Sequence, residues 1–396
     1  MALSPFAFLR GAATVMARDL GATPVTGLRV QLCGDAHVAN FGFFATPERD
    51  QVFDLNDFDE TLPGPWEWDV KRLAVSLVVA ARQHRYARSV ARRASREAVR
   101  AYRATMAEFA SMRYLDTWYF HIDRESQSVL AGRAPRKLID RALTKARRKT
   151  SLHAFPKMTV TRRGNARIRE ASPLIQHYKD PAAFEESRSF YERYLSTLPP
   201  ERRMLLERYH VEDVAQKVVG VGSVGLSCSV LLLLADPDVE DPLFLQLKEA
   251  TASALEPVLE PSEFSNHAER VVVGQHMIQE ASDIFLGWSR LRSRDFYVRQ
   301  LRDMKFSIDI SALGPRELIG QAELCGTALA RAHARTGDPA RISGYLGSGG
   351  AFDQALTRFA EAYADQTERD YEVLLRAIEE GRLPASPSGA SGSRAR

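Results

Sequence analysis

The chain has 396 residues, 45% of them apolar and 26% charged, a length that allows two or three domains or one bilobal unit around a large core. Its net charge of +4 is too small to name a partner, and its three cysteines (Cys33, Cys228, Cys325) lack the C-x-x-C spacing of a zinc site and the density of a disulfide framework, which favours a reducing compartment. Arg10 interrupts the only apolar candidate for an N-terminal signal, and the longest apolar run, Val230 to Ala235, is far too short to span a bilayer, so no membrane association is expected and the cytoplasm is the default.

In chain order, SPFAFLRG opens as a short apolar piece, and GAATVMARDLGA reads as a helix with Gly21 as its stop signal. LRVQLC alternates Leu28, Val30 and Leu32 and reads as a strand. It runs into the most informative stretch, CGDAHVANFGFFATPERDQVFDLNDFDETLPGPWEWD, from Cys33 to Asp69. Asp35 is followed there by His37 and Asn40, and a strand-like QVFDL delivers Asn56, Asp57, Phe58 and Asp59. Asp and Asn collect in turns for purely local reasons, because their side chains bond nearby backbone. The compound pattern asks for more. Phosphoryl transfer needs a carboxylate near the attacking hydroxyl and oxygen ligands holding Mg²⁺ on the phosphates. Asp35, with His37 counted beside it, suits the first role. Asn40 and Asp57 suit the second, with Asp54 as a rival to Asp57, since Mg²⁺ takes hard oxygen donors and commonly only one or two carboxylates.

From Asp69 to about Met112 the pattern is helical: an apolar WDVKRLAVSLVVAA, then an amphipathic helix with Arg and Glu on one face. Between Arg133 and Glu170, Lys and Arg outnumber Asp and Glu thirteen to two. That stretch is either a solvated face or a patch for an anionic partner, and with no nucleic-acid-binding motif present nucleic acid is unlikely. Its centre predicts a hairpin with Gly164 and Asn165 in the turn.

The second informative stretch is DVAQKVVGVGSVGLSCSVLLLLADPDVEDPLFLQLKEA. Gly220, Gly222 and Gly225, with Ser223 among them, form G-x-G-x-x-G, a weak signal alone. The order around it is strand, glycine turn, strand, turn, strand ending in Lys248. A kinase glycine loop covers ATP phosphates between two antiparallel strands, and a lysine on the next strand reaches them. The helix NHAERVVVGQHMIQEAS then offers Glu269 and Glu280 to orient Lys248, with Glu269 preferred. Two strands follow in GWSRLRSRDFYVRQLRD, with RQLRDMK as the hinge, and Arg299, Arg302 and Lys305 read as solvated charge. LGPRELIGQAELCGTALARAHARTGD is a helix with Leu318, Ala322, Cys325, Leu329 and Ala332 on one face, FDQALTRFAEAYADQTERDYEVLLRAIEEG is a long amphipathic helix, and ASPSGASGSRAR is a disordered tail.

GDAHVAN resembles the catalytic loop of aminoglycoside phosphotransferases and choline kinases. That resemblance implies that Asp35 is the catalytic Asp, Asn40 the metal-binding Asn, and Asp57 the D-F-G aspartate with Asp59 in place of Gly. It also implies that Asp69 props the catalytic loop from below. More closely, SPFAFLRG, GDAHVANFG, FDLNDFDE and PWEWDVKRLA are similar to the uncharacterised bacterial domain-of-unknown-function family 2252, over nearly the whole chain, a family grouped with kinase-like folds. Its members carry additional residues ahead of SPF, so a short gene start or a trimmed N-terminus is expected here.

The expected fold is α+β and mostly helical: a bilobal, protein-kinase-like arrangement in circularly permuted order. Residues 1–210 form the catalytic-loop region, 211–310 the nucleotide-binding sheet, 311–384 returning helices and 385–396 the tail. The expected activity is ATP- and Mg²⁺-dependent phosphoryl transfer to an unidentified hydroxyl or amine, on a small molecule or a protein. AMP transfer by the same site and a nucleotide-binding scaffold without turnover are the alternatives.

Overall fold

The computed structural model describes residues 1–122, 144, 150–162, 165–180, 182–218, 225–235, 241–301 and 304–383. The architecture is mixed helix and sheet, α+β, with antiparallel sheets and 50% helix. It opens with α1 (Pro5–Gly11) and α2 (Ala13–Gly21). SPFAFLRG is therefore a helix rather than only an apolar piece: the Ser4 hydroxyl accepts from the Ala7 N–H, and Pro5 sits in the first turn, where its missing N–H costs nothing. Four short strands follow, β1 (Arg29–Leu32), β2 (Phe41–Ala45), β3 (Gln51–Leu55) and β4 (Leu62–Pro65), then α3 (Glu67–Gln83), α4 (Arg88–Ser111) and α5 (Tyr114–Tyr119). β1 pairs with β4, and β2 with β3, so both chemistry-bearing turns of the 33–69 stretch hang from strand ends.

Next come α6 (Ser151–Met158), β5 (Thr159–Arg162), β6 (Asn165–Ile168), β7 (Ile175–His177), α7 (Ala182–Leu195), α8 (Pro200–Leu206), β8 (His210–Lys217), β9 (Cys228–Leu234) and β10 (Pro242–Ala250). The expected hairpin is β5–β6, but Asn165 pairs with Arg162 and opens the second strand instead of sitting in the turn. After β10 come α9 (His267–Ile278), β11 (Gly287–Leu291), β12 (Arg294–Gln300), β13 (Phe306–Ser307), α10 (Pro315–Thr336), α11 (Pro339–Leu346) and α12 (Ala351–Glu379).

Six strands form one antiparallel sheet in the order β11-β12-β10-β9-β8-β7. Its central strands β9 and β10 are buried on both faces, which explains the unbroken apolar run of β9. On one face Leu231, Leu233, Leu245 and Leu247 pack against Phe190 and Tyr194 of α7 and Leu206 of α8. On the other, Val230, Leu232 and Phe244 meet Ala154 of α6 and Ile168 of β6. Residues 151–206, expected to belong with the catalytic-loop region, thus supply both covers of the sheet; the apolar side chains of β8–β10 need a layer on each side.

The largest core lies among α3, α4 and α10. α3 is buried nearly all round, so its β-branched residues are held by packing rather than propensity. Leu318, Ala322, Cys325, Leu329 and Ala332 of α10 are all buried, as their spacing predicts. Among the described residues, no helix is long and apolar enough to cross a membrane.

Candidate functional site

One face of α3 builds the loop that follows β1. Asp69, Arg72 and Ser76 are spaced three and four apart, which stacks them on one side of a helix. Asp69 accepts the backbone N–H groups of Cys33 at 2.7 Å and Gly34 at 3.0 Å. Its Oδ2 also lies 3.3 Å from His333 Nε2 of α10, and His333 Nδ1 is 2.9 Å from the Tyr102 hydroxyl of α4. Ser76 Oγ accepts the Val38 N–H at 2.9 Å. Arg72 Nε donates to Asp35 Oδ1 at 2.5 Å, and its Nη2 donates to the Leu9 carbonyl of α1 at 2.8 Å. Gly34 is required where it stands: its φ is +83°, and a Cβ would lie 2.2 Å from the Glu60 carbonyl oxygen.

Asp35 is consequently a half-buried carboxylate, its side chain 17% exposed, with one strong partner. Burial pushes its pKa up to about 7, against the opposing pull of the Arg72 guanidinium and its hydrogen bond. His37 is buried, with Nε2 3.6 Å from Asp35 Oδ2 and Nδ1 without a partner. Burial, then Arg72 and Arg10, hold its pKa well below the usual value, so it is neutral. Asn40 donates its side-chain N–H to the Asp35 carbonyl at 2.8 Å, an orientation that leaves the amide oxygen for a hard cation. The Asn40 carbonyl accepts the Asn56 N–H at 2.8 Å, which ties this loop to the one after β3.

The second wall is the face of β10 and β12 that carries Lys248. Strand alternation puts Gln246 and Lys248 on one face, and the register sets Lys248 opposite Tyr297. Lys248 is 4% exposed, forms a close ion pair with Asp59, and lies 3.9 Å from Asp57 Oδ1. Tyr297 donates its hydroxyl to Asp59 Oδ1 at 2.7 Å. Burial alone would lower the Lys248 pKa; Asp57, Tyr297 and Asp59 outweigh it, and the amine stays protonated. Burial likewise raises Asp59, but Lys248 and the Tyr297 hydrogen bond more than compensate and leave its pKa below the ordinary value. From α9, the buried Arg270 donates to the carbonyls of Asp59 at 2.8 Å, Thr61 at 2.7 Å and Thr251 at 2.8 Å, locking the 57–61 loop to the end of β10.

Three expectations are corrected by this geometry. The carboxylates against Lys248 are Asp59 and Asp57, not Glu269; α9 turns Arg270 toward the loop, and Glu269, one residue away on the helix, faces elsewhere. Asp54 is fully buried on β3 and points to the opposite side from Asp57, where it accepts from Arg331 Nη2 at 2.5 Å and the Glu280 N–H at 2.8 Å. It is a cross-link between β3 and α10, fully enclosed by the protein, with only Oδ1 left without a hydrogen bond. Arg299, read as solvated charge, packs over the Tyr297 ring and donates to Gln246 at 3.1 Å. Gly220, Gly222, Ser223 and Arg302 lie outside the described residues; Gly225, at the entry to β9, has a φ of +91°.

Among the described residues, no three His, Cys, Asp or Glu side chains converge as a self-contained metal centre. The donor set that remains is Asn40 and Asp57. Asp57 Oδ1 makes no hydrogen bond and lies 3.9 Å from the Lys248 ammonium, and the side chain, 38% exposed, is reachable by a cation. The site therefore combines a carboxylate titrating near neutrality, a partly exposed carboxylate, and a buried ammonium. Sequence reasoning missed Arg72, Asp59, Tyr297 and Arg270. Arg72 had a signal, its helical spacing from Asp69; the other three had none, because their partners come from distant segments.

No curated protein and no solved structure matches the chain. The profile of one family matches residues 1–377. The chain belongs to that family, described as "Uncharacterized protein conserved in bacteria (DUF2252)".

Proposed function

We propose that this protein is an ATP- and Mg²⁺-dependent phosphotransferase with a kinase-like, circularly permuted arrangement, acting on a hydroxyl or amine acceptor. The observation that carries this reading is the meeting of Lys248 with the 57–59 loop across 189 residues of sequence. That loop is itself bonded to the Asp35–Asn40 loop. Two groups expected on opposite sides of a nucleotide thus share one site, although the catalytic-loop half comes first in the chain. Permuted order calls for termini near each other. In support, Tyr371 of α12 donates to the Ala2 carbonyl at 2.9 Å, and the Leu9 carbonyl reaches Arg72 beside Asp35.

In this reading Asp35 takes the proton of the acceptor hydroxyl as its oxygen attacks the γ-phosphorus, and ADP leaves. A base titrating near 7 is well matched to that task at neutral pH. Arg72 holds the carboxylate in place, and neutral His37 packs beside it against the Phe6 ring. Lys248 binds the α and β phosphates. Asn40 and Asp57 would hold Mg²⁺, whose charge offsets that of the phosphates.

The test is transfer of label from γ-labelled or α-labelled ATP by purified protein into fractionated cell extract. Transfer of the γ label, lowered roughly 10²–10⁴-fold by Asp35→Asn, is the expected result for loss of a positioned base. Transfer of the α label instead identifies AMP transfer. No transfer, with no Mg-ATP binding by calorimetry, sinks the nucleotide site.

A further inference from the structure

We infer that Asp59 is the residue that positions Lys248 for phosphate binding, the role the sequence had assigned to Glu269; the nucleotide part of this inference rests on the function proposed above. Lys248 is almost completely buried, and a buried ammonium needs a fixed anionic partner. Asp59 supplies one, and every part of Asp59 is anchored. Its Oδ2 pairs with Lys248, its Oδ1 accepts from Tyr297, and its backbone carbonyl accepts from Arg270. The Tyr297 ring also lies 5.9 Å from the Lys248 ammonium, directly across the β10–β12 register. The lysine is thus held from its own sheet and from the 57–61 loop together.

The division of labour between the two aspartates follows. Asp59 is engaged on both oxygens, whereas Asp57 makes no hydrogen bond through Oδ1, which lies 3.9 Å from the Lys248 ammonium, and its side chain is 38% exposed. One loop therefore carries one carboxylate hydrogen-bonded to the lysine and a second, more exposed one beside it that a cation could also reach. α9 contributes through the guanidinium of Arg270 acting on backbone carbonyls, not through an acidic side chain.

Two measurements decide this. The first needs no nucleotide: double-mutant cycles in urea with Lys248→Met against Asp59→Asn, and against Glu269→Gln. Asn keeps the size of Asp and can still accept from Tyr297, and Met keeps the length of Lys, so both variants should fold. Expected is a coupling of roughly tenfold in the unfolding constant for the Asp59 pair and none for the Glu269 pair, as for contacting residues against separated ones. No coupling at Asp59, or equal coupling at Glu269, overturns the assignment. The second is Mg-ATP affinity by calorimetry. Asp59→Asn should weaken it roughly tenfold, Asp59→Glu should recover part of the loss, and Glu269→Gln should leave it unchanged. Unchanged affinity in Asp59→Asn would refute the positioning role even if the pair is coupled. If the wild-type protein binds no Mg-ATP, the proposed function and the phosphate role both fall, and the cycle still shows which carboxylate holds Lys248.

Discussion

The two walls of the candidate site hold their functional groups in opposite ways. The Asp35 loop is fixed by groups that stand behind the chemistry: Asp69 and Ser76 bond its backbone, and Arg72 bonds the carboxylate. All come from one face of α3, within 44 residues of the loop's start. The lysine wall is assembled instead from distant segments, with Arg270 of α9 bonding the backbone of the 57–61 loop. Lys248 is held by strand register and by Asp59, 189 residues away, so the groups that position the charge are themselves charged or bonded to a charge. Damage to the loop wall should therefore appear first as lost stability, and damage to the lysine wall as changed affinity and electrostatics.

The largest expected effect on that contrast is at Asp69. Asp69→Ala removes the acceptor of two buried N–H groups and leaves His333 without its carboxylate partner. At about 1–3 kcal/mol for each orphaned donor, the loss should be about 3–5 kcal/mol in urea or thermal unfolding. A loss under about 1 kcal/mol would mean that the loop is held from elsewhere. Asp69→Asn, which keeps one acceptor oxygen, should fall between.

A middle-sized effect concerns pH. The Asp35 carboxyl is raised to about 7 in the folded protein, so the folded state keeps a proton that the unfolded chain releases near its ordinary value. Its contribution to stability is complete in acid, below the unfolded value, and is lost as pH rises through about 7. Transfer should run the other way, rising with pH through about 7 as the carboxylate forms. Arg72→Gln removes the group that opposes burial, so the acid limb of the kcat profile should move to higher pH. A limb that stays in place in Arg72→Gln would separate that titration from Asp35. Lys248, held protonated by its neighbours, should add no titration near neutrality.

The smallest effect is at Ser76. Ser76→Ala strips one acceptor from the Val38 N–H and should cost about 1–2 kcal/mol in unfolding, with Mg-ATP affinity unchanged. If affinity changed while stability did not, the division between the two walls would fail.

What could be read from the sequence was local. GDAHVAN, the 57–59 loop and Asp69 lie within one short stretch, and helical spacing alone sets Asp69, Arg72 and Ser76 on a common face. The succession of apolar runs and turns likewise gave the strand that ends in Lys248 next to the one that precedes it, and the two are paired. Helix boundaries followed from turn chemistry, as at Gly21 and Pro315.

Which charge meets which was decided only by the tertiary structure. Asp54, Asp57 and Asp59 are the same residue type within six positions, yet one is buried on Arg331, one is partly exposed at 3.9 Å from Lys248, and one is hydrogen-bonded to Lys248. The choice of Asp59 over Glu269 depends on where α9, β10 and β12 pack against the 57–61 loop, and Arg270 rather than its neighbour fills that contact. A buried charge takes the partner that packing brings within hydrogen-bond reach, because leaving it unpaired in a low-dielectric interior is costly. Sequence periodicity states the face of an element on which a charge stands, but not which distant segment will cover that face.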